Sequence, residues 1–339
     1  MITSKMRTLA FKLKLKIKRP KVLLISHSDA DGIASAAISL NYATRVLKYN
    51  ERDIEIIFGG PSALPHILRA IRFKGEMLII TDISPNIKEL QNICTELRRL
   101  KSENWKIIWI DHHKWVSTAQ NMIKGLVDML VVEKAPSAAQ LAFNYLTPKM
   151  KRLWRTVKYA NDIDTLSDKF KESFTIRALT YNSKWKRKLL KKFARGKPVD
   201  KEILEIADEV RKNAEIEVER AMSSVKIYES KGRLKFGFLD LRKAKIPKSW
   251  IARRVAEKHN LKFMVVLRSN NAISLYGRIE NKDINLLPIA LSYGGGGHPY
   301  ACGFKIKLSF KSKILLTLLG KKYIPQEVIE VIESIKSKI

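Results

Sequence analysis

LLISHSDADGIASAA, residues 23–37, contains the change of pattern that decides the fold. A continuous apolar run ends at Ser26, and one histidine and two aspartates follow it, before a glycine and a run of small residues. A short apolar run followed by a helix-forming segment indicates a buried strand and then a helix. His27, Asp29 and Asp31 are therefore expected directly after the carboxyl end of a buried strand.

The same alternation of strand and helix continues through the first half of the chain. The apolar runs 21–26, 53–58, 76–84 and 106–111 are each followed by a helical pattern. Near-continuous Val, Ile and Leu strands separated by helices are typical of a parallel sheet that is covered on both faces. Ligands of such α/β sheets bind beyond the carboxyl ends of the strands.

The rest of the sequence predicts a linker and a second, smaller domain. We expect an α/β catalytic domain over 1–185, a basic segment and linker helix over 186–225, and a C-terminal α+β domain over 226–339. The stretch 184–198 has eight basic residues and no acidic one, which fits a solvated helix face or, as we favour, a nucleic-acid contact. Lysines alternate with apolar residues in FKLKLKIK (11–18), which predicts an edge strand.

The charge of the chain limits its partners. Among 339 residues, 65 are basic and 33 acidic, giving a formal net charge of +32. This indicates a polyanionic partner, with nucleic acid the first candidate. Thermal adaptation is the alternative, although glutamate does not rise with lysine as it usually does in thermophiles. No stretch approaches the roughly 18 apolar residues of a membrane span, and no signal peptide is recognisable, so we expect a cytoplasmic protein.

Three predicted strands bring acidic and imidazole groups to one edge of the sheet. Asp82 follows the third strand, and Asp111, His112 and His113 follow the fourth. A single aspartate after a strand is commonly a helix cap, but so many unpaired carboxylates would repel one another. Mixed carboxylate and imidazole ligands suit Mn²⁺, Mg²⁺, Fe²⁺ or Co²⁺ better than structural zinc. Two such ions about 3.5–4 Å apart can share a carboxylate and clamp a phosphoryl group.

The quoted motifs resemble those of a known family. HSDADG, Asp82 in TDIS, and IDHH ending at His113 resemble the first three motifs of the DHH phosphoesterase superfamily, which includes RecJ exonucleases, nano-RNases, cyclic dinucleotide phosphodiesterases and family II pyrophosphatases. YANDIDTLSD resembles the fourth motif, with Asp162 preferred and Asp164 in reserve. GGGGHPYACGF resembles the glycine-rich signature of the DHHA1 substrate domain. We also expect an archaeal or thermophilic source.

The resemblance implies a site with two metal ions, Mn²⁺ first and Mg²⁺ or Co²⁺ as alternatives. One ion would be held by His27, Asp29 and Asp82. The other would be held by Asp31, Asp82, His112 and Asp162. Asp82 would then bridge the two ions.

The resemblance also implies the catalytic and substrate-binding residues. Asp111 would orient an imidazole and raise its basicity, and His113 would face the substrate phosphate or the leaving group. Arg278 occupies the place of a substrate-binding arginine, with Arg268 as the alternative. The glycine-rich signature would bind substrate through Gly295, Gly296, Gly297 and His298. Trp115, close to the DHH sequence, is a candidate for stacking on a base, with core packing as the alternative.

These expectations favour an enzyme of the nano-RNase type that hydrolyses short single-stranded RNA or DNA to mononucleotides. The alternatives are a small-nucleotide phosphatase, a cyclic or linear dinucleotide phosphodiesterase, and a non-catalytic scaffold that binds nucleic acid. The sequence does not distinguish RNA from DNA, and it leaves open whether the chain forms a homodimer.

Overall fold

The computed structural model describes residues 13, 15–167, 169–277 and 284–338. The chain divides into two compact units, residues 1–207 and 208–339. The division falls within the helix Lys201–Met222, in the region where the sequence predicts a linker helix. Arg278, the predicted substrate-binding arginine, lies outside the described residues.

The first unit is built on a five-stranded sheet in the order β2-β1-β3-β4-β5. Its strands are β1 (Val22–Ser26), β2 (Ile54–Phe58), β3 (Met77–Thr81), β4 (Lys106–Asp111) and β5 (Met129–Val132). All four strand pairings are parallel. Every residue of β1 and β3 is buried, so helices cover both faces of the central strands. The predicted parallel α/β sheet is confirmed.

Helices follow β1, β2 and β3 as the sequence predicts, whereas the helix Ser117–Lys124 and the strand β5 were not predicted. The helices of the first unit are α1 (Ala30–Asn41), α2 (Leu64–Ala70), α3 (Leu90–Ser102), α4 (Ser117–Lys124), α5 (Ala138–Leu146), α6 (Trp154–Thr165), α7 (Glu172–Leu179) and α8 (Ser183–Ala194), and α9 (Lys201–Met222) begins here. A short π-helical segment, Tyr42–Val46, continues α1, and 3-10 turns occupy Glu51–Asp53, Ile87–Glu89 and Lys151–Leu153. Helix α1 packs against α5, α6 and α8, while α2 and α3 belong to a separate apolar cluster with the sheet.

The second unit is a mixed six-stranded sheet in the order β10-β11-β9-β8-β7-β6. Its strands are β6 (Lys226–Glu229), β7 (Lys235–Asp240), β8 (Phe263–Ser269), β9 (Ala272–Gly277), β10 (Gly296–His298) and β11 (Ala301–Lys305). Its helices are α10 (Lys248–Lys258), α11 (Leu287–Ser292), α12 (Phe310–Leu319) and α13 (Gln326–Lys338), with a 3-10 turn at Gly320–Lys322. Only the β7–β8 pairing is parallel among these described strands. The predicted α+β architecture is confirmed.

No helix among the described residues combines the length and the apolar character needed to cross a bilayer.

The predicted edge strand at FKLKLKIK is wrong for the part of it that the structure describes. Residues 15–18 are helical. A period-two strand would place Leu15 and Ile17 on one face, but Leu15 is fully buried while Ile17 is 74% exposed. Lys18 Nζ lies 2.7 Å from Glu55 Oε2, so one of the lysines pairs with an acidic residue.

The turn between β1 and α1 is held in a tight conformation. Ser26 Oγ donates a hydrogen bond to the carbonyl oxygen of Gly32 at 2.7 Å, and Thr81 Oγ1 donates to Ser26 Oγ at 2.8 Å. A Cβ atom at Gly32 would lie 2.2 Å from the carbonyl oxygen of His27. Only glycine fits at this position, because the obstructing atom belongs to the backbone.

The Gly32→Ala variant should therefore be destabilised by about 1–3 kcal/mol, the usual cost of overpacking. The measurement is urea unfolding in the presence of EDTA, so that metal binding does not contribute. Gly125→Ala is the matched control, because no heavy atom lies within 4 Å of the added Cβ. Equal stability of the two variants would contradict the close approach at Gly32.

Candidate metal centre

Acidic and imidazole side chains from the ends of β1, β3 and β4 meet at the carboxyl edge of the first sheet. Asp82, directly after β3, lies at the centre. Its Oδ2 is 3.8 Å from His27 Nδ1, and its Oδ1 is 3.7 Å from His112 Nε2 and 3.9 Å from His113 Nδ1. The structure thus brings together the residues of the first three predicted motifs.

Asp29 caps helix α1 and also contacts His27 of the cluster. Its Oδ1 accepts a hydrogen bond from the Gly32 amide at 3.0 Å and caps α1, while its Oδ2 lies 2.7 Å from His27 Nδ1. Burial raises the pKa of Asp29, but the charge of His27 outweighs it and the net pKa is lowered. The same carboxylate raises the pKa of His27. The capping role therefore does not compete with membership of the cluster.

Asp31 is buried against the start of α5. Its Oδ2 accepts from the amide of Ala138 at 2.7 Å, and its Oδ1 accepts from the amide of Ala139 at 2.9 Å. The first amides of a helix favour negative charge, so α5 holds this carboxylate in place. Asp31 Oδ2 also lies 3.8 Å from His112 Nε2. Sequence reasoning missed this anchor, for which the small residues in SAAQ were the available signal.

The fourth motif requires a correction, because the structure does not bring Asp162 to the cluster. The Asp162 carboxylate accepts four hydrogen bonds from the chain that follows α6: Ser167 Oγ at 2.5 Å, the Lys169 amide at 2.8 Å, the Phe170 amide at 3.1 Å and Ser173 Oγ at 2.5 Å. Although burial raises the pKa of Asp162, these hydrogen bonds lower it below its usual value. Asp162 thus fixes the loop after α6.

Asp164, the reserve candidate, takes the place expected of Asp162. Its Oδ2 lies 3.6 Å from His112 Nε2. Two residues along an α-helix correspond to a rotation of about 200°, so Asp162 and Asp164 face opposite sides of α6. Asp164 therefore lies at the cluster and Asp162 does not, and metal binding by Asp164 stays a prediction.

Asp111 is fully buried and positions the aromatic side chains around it. It accepts from Trp115 Nε1 at 2.6 Å and from the His112 amide at 3.0 Å, and its Oδ1 lies 2.8 Å from His113 Nδ1. The contact with His113 places Asp111 where it can orient that imidazole, and its catalytic role stays a prediction. Trp115 is only 7% exposed, so its ring packs in the core, as the alternative had it, and the candidate role in stacking on a base is wrong.

The cluster holds more negative charge than its surroundings compensate. Burial raises the pKa of Asp82 and Asp164 well above the usual value, and the charges of Asp31 and Asp29 raise it further. Burial lowers the pKa of His113, but Asp111 outweighs it and the net pKa is raised to about 9. Among the described residues, no lysine or arginine forms an ion pair with Asp82 or Asp164. Added cations would relieve this repulsion.

The donor set fits divalent metal ions. Three overlapping groups have ligand atoms within 4.8 Å of one another: His27, Asp29 and Asp82; Asp31, His112 and Asp164; and Asp82, His112 and His113. Within the described part of the chain, the buried Asp82 Oδ2 makes no hydrogen bond. Asp82 also adopts φ 57°, a left-handed conformation that costs a non-glycine residue roughly 1 kcal/mol or more. A buried carboxylate held in this way is suited to bind a cation.

Backbone packing within the second unit requires glycine at two positions of the glycine-rich segment. A Cβ at Gly295 would lie 2.2 Å from the carbonyl oxygen of Gly303, and one at Gly297 would lie 2.6 Å from that of Ala301. Gly297 has φ +130°, and the Gly295 amide donates to Ala290. These glycines allow β10 to pack closely on β11. Substrate binding by Gly295, Gly296, Gly297 and His298 stays a prediction.

The Asp164→Asn and Asp162→Asn pair separates a metal ligand from a structural carboxylate. We expect Asp164→Asn to lower Mn²⁺ affinity at least tenfold and to leave stability in EDTA unchanged or higher. Asp162→Asn should cost about 1–3 kcal/mol of stability because donors are left unpaired, with Mn²⁺ affinity of the folded protein changed less than threefold. Calorimetric titration and urea unfolding measure the two effects, and the reverse pattern would contradict the assignment.

Removing the central charge should stabilise the metal-free protein. Asp82→Asn relieves repulsion without changing size, and asparagine tolerates the left-handed conformation. We expect the free energy of unfolding in EDTA at neutral pH to be about 1–2 kcal/mol higher for this variant than for the wild type. Glu51→Gln, an exposed residue with the same charge change, is the control. A variant less stable than the wild type would show that the carboxylates do not repel one another appreciably.

The family comparison agrees with this geometry. Residues 21–167, from β1 to the end of α6, match the family model described as the DHH family, N-terminal domain. No curated protein sequence matches the chain closely enough to count as a relative.

Solved structures with the same fold cover nearly the whole chain. One is a DHH-domain protein described as a member of a family of ribosomal proteins, with 16% identity, 98% of this chain and 90% of that chain covered, and a TM-score of 0.68. Another is RecJ from Thermus thermophilus in complex with Mn²⁺, with 14% identity, 94% and 55% covered, and a TM-score of 0.53. An exopolyphosphatase-related protein from Bacteroides fragilis has 13% identity, 97% and 98% covered, and a TM-score of 0.51.

At these identities the structural likeness shows the fold alone, and the chain spans about 55% of the length of RecJ. The family match covers the strands and helices that carry the whole candidate metal centre. Residues 21–167 of the chain are therefore identified as a DHH-family N-terminal domain.

Proposed function

We propose that this protein is a phosphodiesterase that hydrolyses short single-stranded RNA or DNA from one end to mononucleotides, using two divalent ions with Mn²⁺ preferred. The family and the cluster together indicate the broader class, a metal-dependent phosphoesterase. The observation that carries the two-ion proposal is the position of Asp82. It belongs to one candidate group with His27 and Asp29, and it lies 3.7 Å from His112 of the other.

Two divalent ions, when bound, supply Lewis-acid stabilisation of a phosphoryl group and lower the pKa of water. The chain supplies the positions. His27 and Asp29 hold one side of the site, and Asp31 and Asp164 hold the other. Because α5 fixes Asp31 and the β1–α1 turn fixes Asp29, the two sides are set before any ligand binds. Such pre-organisation favours catalysis because no rearrangement is needed during the reaction.

His113 is the residue that we propose to contact the scissile phosphate or its leaving oxygen. Asp111 lies 2.8 Å from His113 Nδ1, and Trp115 and the His112 amide hold Asp111 in turn. This chain of contacts fixes the orientation of the imidazole ring. Nε2 is then the ring atom positioned to donate a proton to a departing oxygen.

The preference for a nucleic-acid strand rests on charge. The net charge of +32 is far larger than a small phosphate substrate requires. We propose that the glycine-rich residues Gly295, Gly296, Gly297 and His298 bind the substrate, with Arg278 as a further contact. Counterion release makes such binding strongly dependent on salt concentration.

Hydrolysis of a substrate panel in Mn²⁺ tests this proposal. The panel contains end-labelled 2-mer to 20-mer RNA and DNA, pyrophosphate, cyclic dinucleotides and phosphoadenosine phosphate. We expect mononucleotide release from the short single strands, complete loss in EDTA and recovery on adding Mn²⁺. Asp82→Ala should lower the rate by at least 100-fold, because Asp82 would be a ligand to both ions.

Preferential hydrolysis of a cyclic dinucleotide or of phosphoadenosine phosphate would replace the proposed substrate but keep the reaction class. Absence of hydrolysis of every substrate, with Mn²⁺ shown to be bound, would refute the enzyme proposal. Asp128→Ala, a carboxylate before β5 that lies outside the three candidate groups, is the control for the loss of an acidic residue.

A further inference from the structure

The basic helix α8 packs beside α1, the helix that Asp29 of the metal centre caps. The carboxyl ends of the two helices are joined, since Asn41 Nδ2 donates to the Ala194 carbonyl at 3.0 Å and Arg152 Nη1 donates to the same oxygen at 2.9 Å. Both helices have 12 residues and pack along each other. Their amino ends therefore lie at the same edge of the unit, where Asp29 caps α1.

One face of α8 is apolar and buried, and it ends in a lysine. Lys186, Leu189 and Phe193 are spaced i, i+3, i+7 and share this face. Leu189 and Phe193 are fully buried, and Lys186 is half-buried in the first turn. Burial lowers the pKa of Lys186, while the negative charge of Asp29 acts on it in the opposite direction. Because α8 packs along α1 with its amino end at the same edge, Lys186 in the first turn of α8 lies on the side of the unit that carries Asp29.

Lys186 has no carboxylate of its own. Among the described residues, its ammonium group makes neither a hydrogen bond nor an ion pair. Lys188 and Lys192 on the same helix differ, because both pair with Glu202 and Lys192 also pairs with Asp200. A half-buried lysine beside an anionic cluster is suited to bind an anion that arrives with the metal ions, such as a phosphate.

The opposite face of α8 carries three further exposed cations. Lys184, Arg187 and Lys191 follow the spacing i, i+3, i+7 and form what we call the outer face. Within the described part of the chain, none of the three pairs with an acidic residue. From Lys184 to Lys191 the outer face spans about 10 Å along the helix.

We propose that a single-stranded nucleic acid lies along α8, with Lys186 contacting the phosphate nearest the metal centre and the outer face contacting phosphates farther along the strand. This inference rests on the proposed function and names the surface that binds the substrate. Charge complementarity selects a polyanion as the occupant. A membrane surface is disfavoured because Leu189 and Phe193, the apolar side chains of the buried face of α8, are buried within their own unit and are not available for insertion.

Salt-dependent binding tests the outer face without measuring activity. A fluorescein-labelled single-stranded 12-mer, as RNA and as DNA, is titrated with the full chain in Ca²⁺ at several salt concentrations. Loss of three phosphate contacts in the triple variant Lys184→Gln, Arg187→Gln, Lys191→Gln should reduce the slope of log K against log salt by about 2. The control triple variant is Lys101→Gln, Lys106→Gln, Lys124→Gln.

The control removes the same charge from the opposite edge of the unit. Lys101 lies at the end of α3, shortly before β4, and Lys106 is the first residue of β4. Lys124 is the last residue of α4, shortly before β5. All three therefore lie at the amino ends of the strands. Their side chains are exposed, as those of the outer face are. An equal change of slope in the two triple variants would overturn the proposal, since it would reflect net charge alone. Stronger binding of phosphatidylserine vesicles than of the 12-mer, lost in the outer triple variant, would also overturn it.

Lys186 is tested with a dinucleotide. This ligand has a single internal phosphate and is too short to extend along the outer face. Lys186→Gln should weaken dinucleotide binding in Ca²⁺ about tenfold and raise KM in Mn²⁺, and Lys186→Arg should restore most of the affinity. The affinity for Mn²⁺ alone should not fall, because Lys186 is not a ligand. Unchanged dinucleotide binding in Lys186→Gln, or equal loss in Lys186→Arg, would overturn the role of this lysine.

The two proposals fail in different ways. If the wild type hydrolyses short strands but the α8 variants bind and cleave them like the control, the helix assignment fails and the proposed function stands. If the wild type binds the 12-mer through the outer face but hydrolyses nothing in Mn²⁺, the enzyme proposal fails.

Discussion

The repulsion among carboxylates at the carboxyl edge of the first sheet is the constraint on which the rest of the site depends. Ligand atoms in each candidate group lie within 4.8 Å of one another. Two like charges at that distance cost about 3 kcal/mol at an effective dielectric constant near 20. Histidines offset part of this cost, but Asp82 and Asp164 keep strongly raised pKa values. A fold that retains such a cost in its core is suited to a cationic ligand.

The fold holds these charges together through contacts that do not depend on a metal. The amides at the start of α5 hold Asp31, the Gly32 amide holds Asp29, and β3 delivers Asp82 in a left-handed conformation. Asp162 secures the chain that follows α6 and so supports the helix that carries Asp164. The repulsion therefore cannot be relieved by moving the side chains apart, and protonation or cation binding remains.

Much of this arrangement could be predicted from sequence because it depends on strand ends. The carboxyl ends of parallel strands meet at one edge, so His27, Asp82 and His112 had to converge once the sheet was recognised. Asp162 and Asp164 could not be separated in this way. A helical pattern shows that a segment is a helix, whereas its rotation about its own axis is set by packing. Here Ser167 and Ser173 donate hydrogen bonds to Asp162. Asp164, on the opposite side of the helix, therefore faces His112.

Tertiary context also decided the other departures. The period-two pattern at residues 11–18 predicted a strand. Residues 15–18 are helical instead, because a helical turn buries Leu15 while leaving Ile17 exposed. Trp115 lies close to the DHH sequence, which suggested a base contact. Its indole instead donates a hydrogen bond to the buried Asp111 and packs in the core. The basic stretch within 184–198 left two interpretations open, and the packing of α8 beside α1 supplies the argument for a substrate contact.

The two-ion site is tested most directly by the electron paramagnetic resonance spectrum of the metal-free chain titrated with Mn²⁺, combined with calorimetric stoichiometry. We expect two Mn²⁺ ions per chain and the spectrum of an exchange-coupled pair, because Asp82 belongs to the group with His27 and Asp29 and lies 3.7 Å from His112. Binding of a single isolated ion, or no binding at the carboxyl edge of the first sheet, would contradict this expectation.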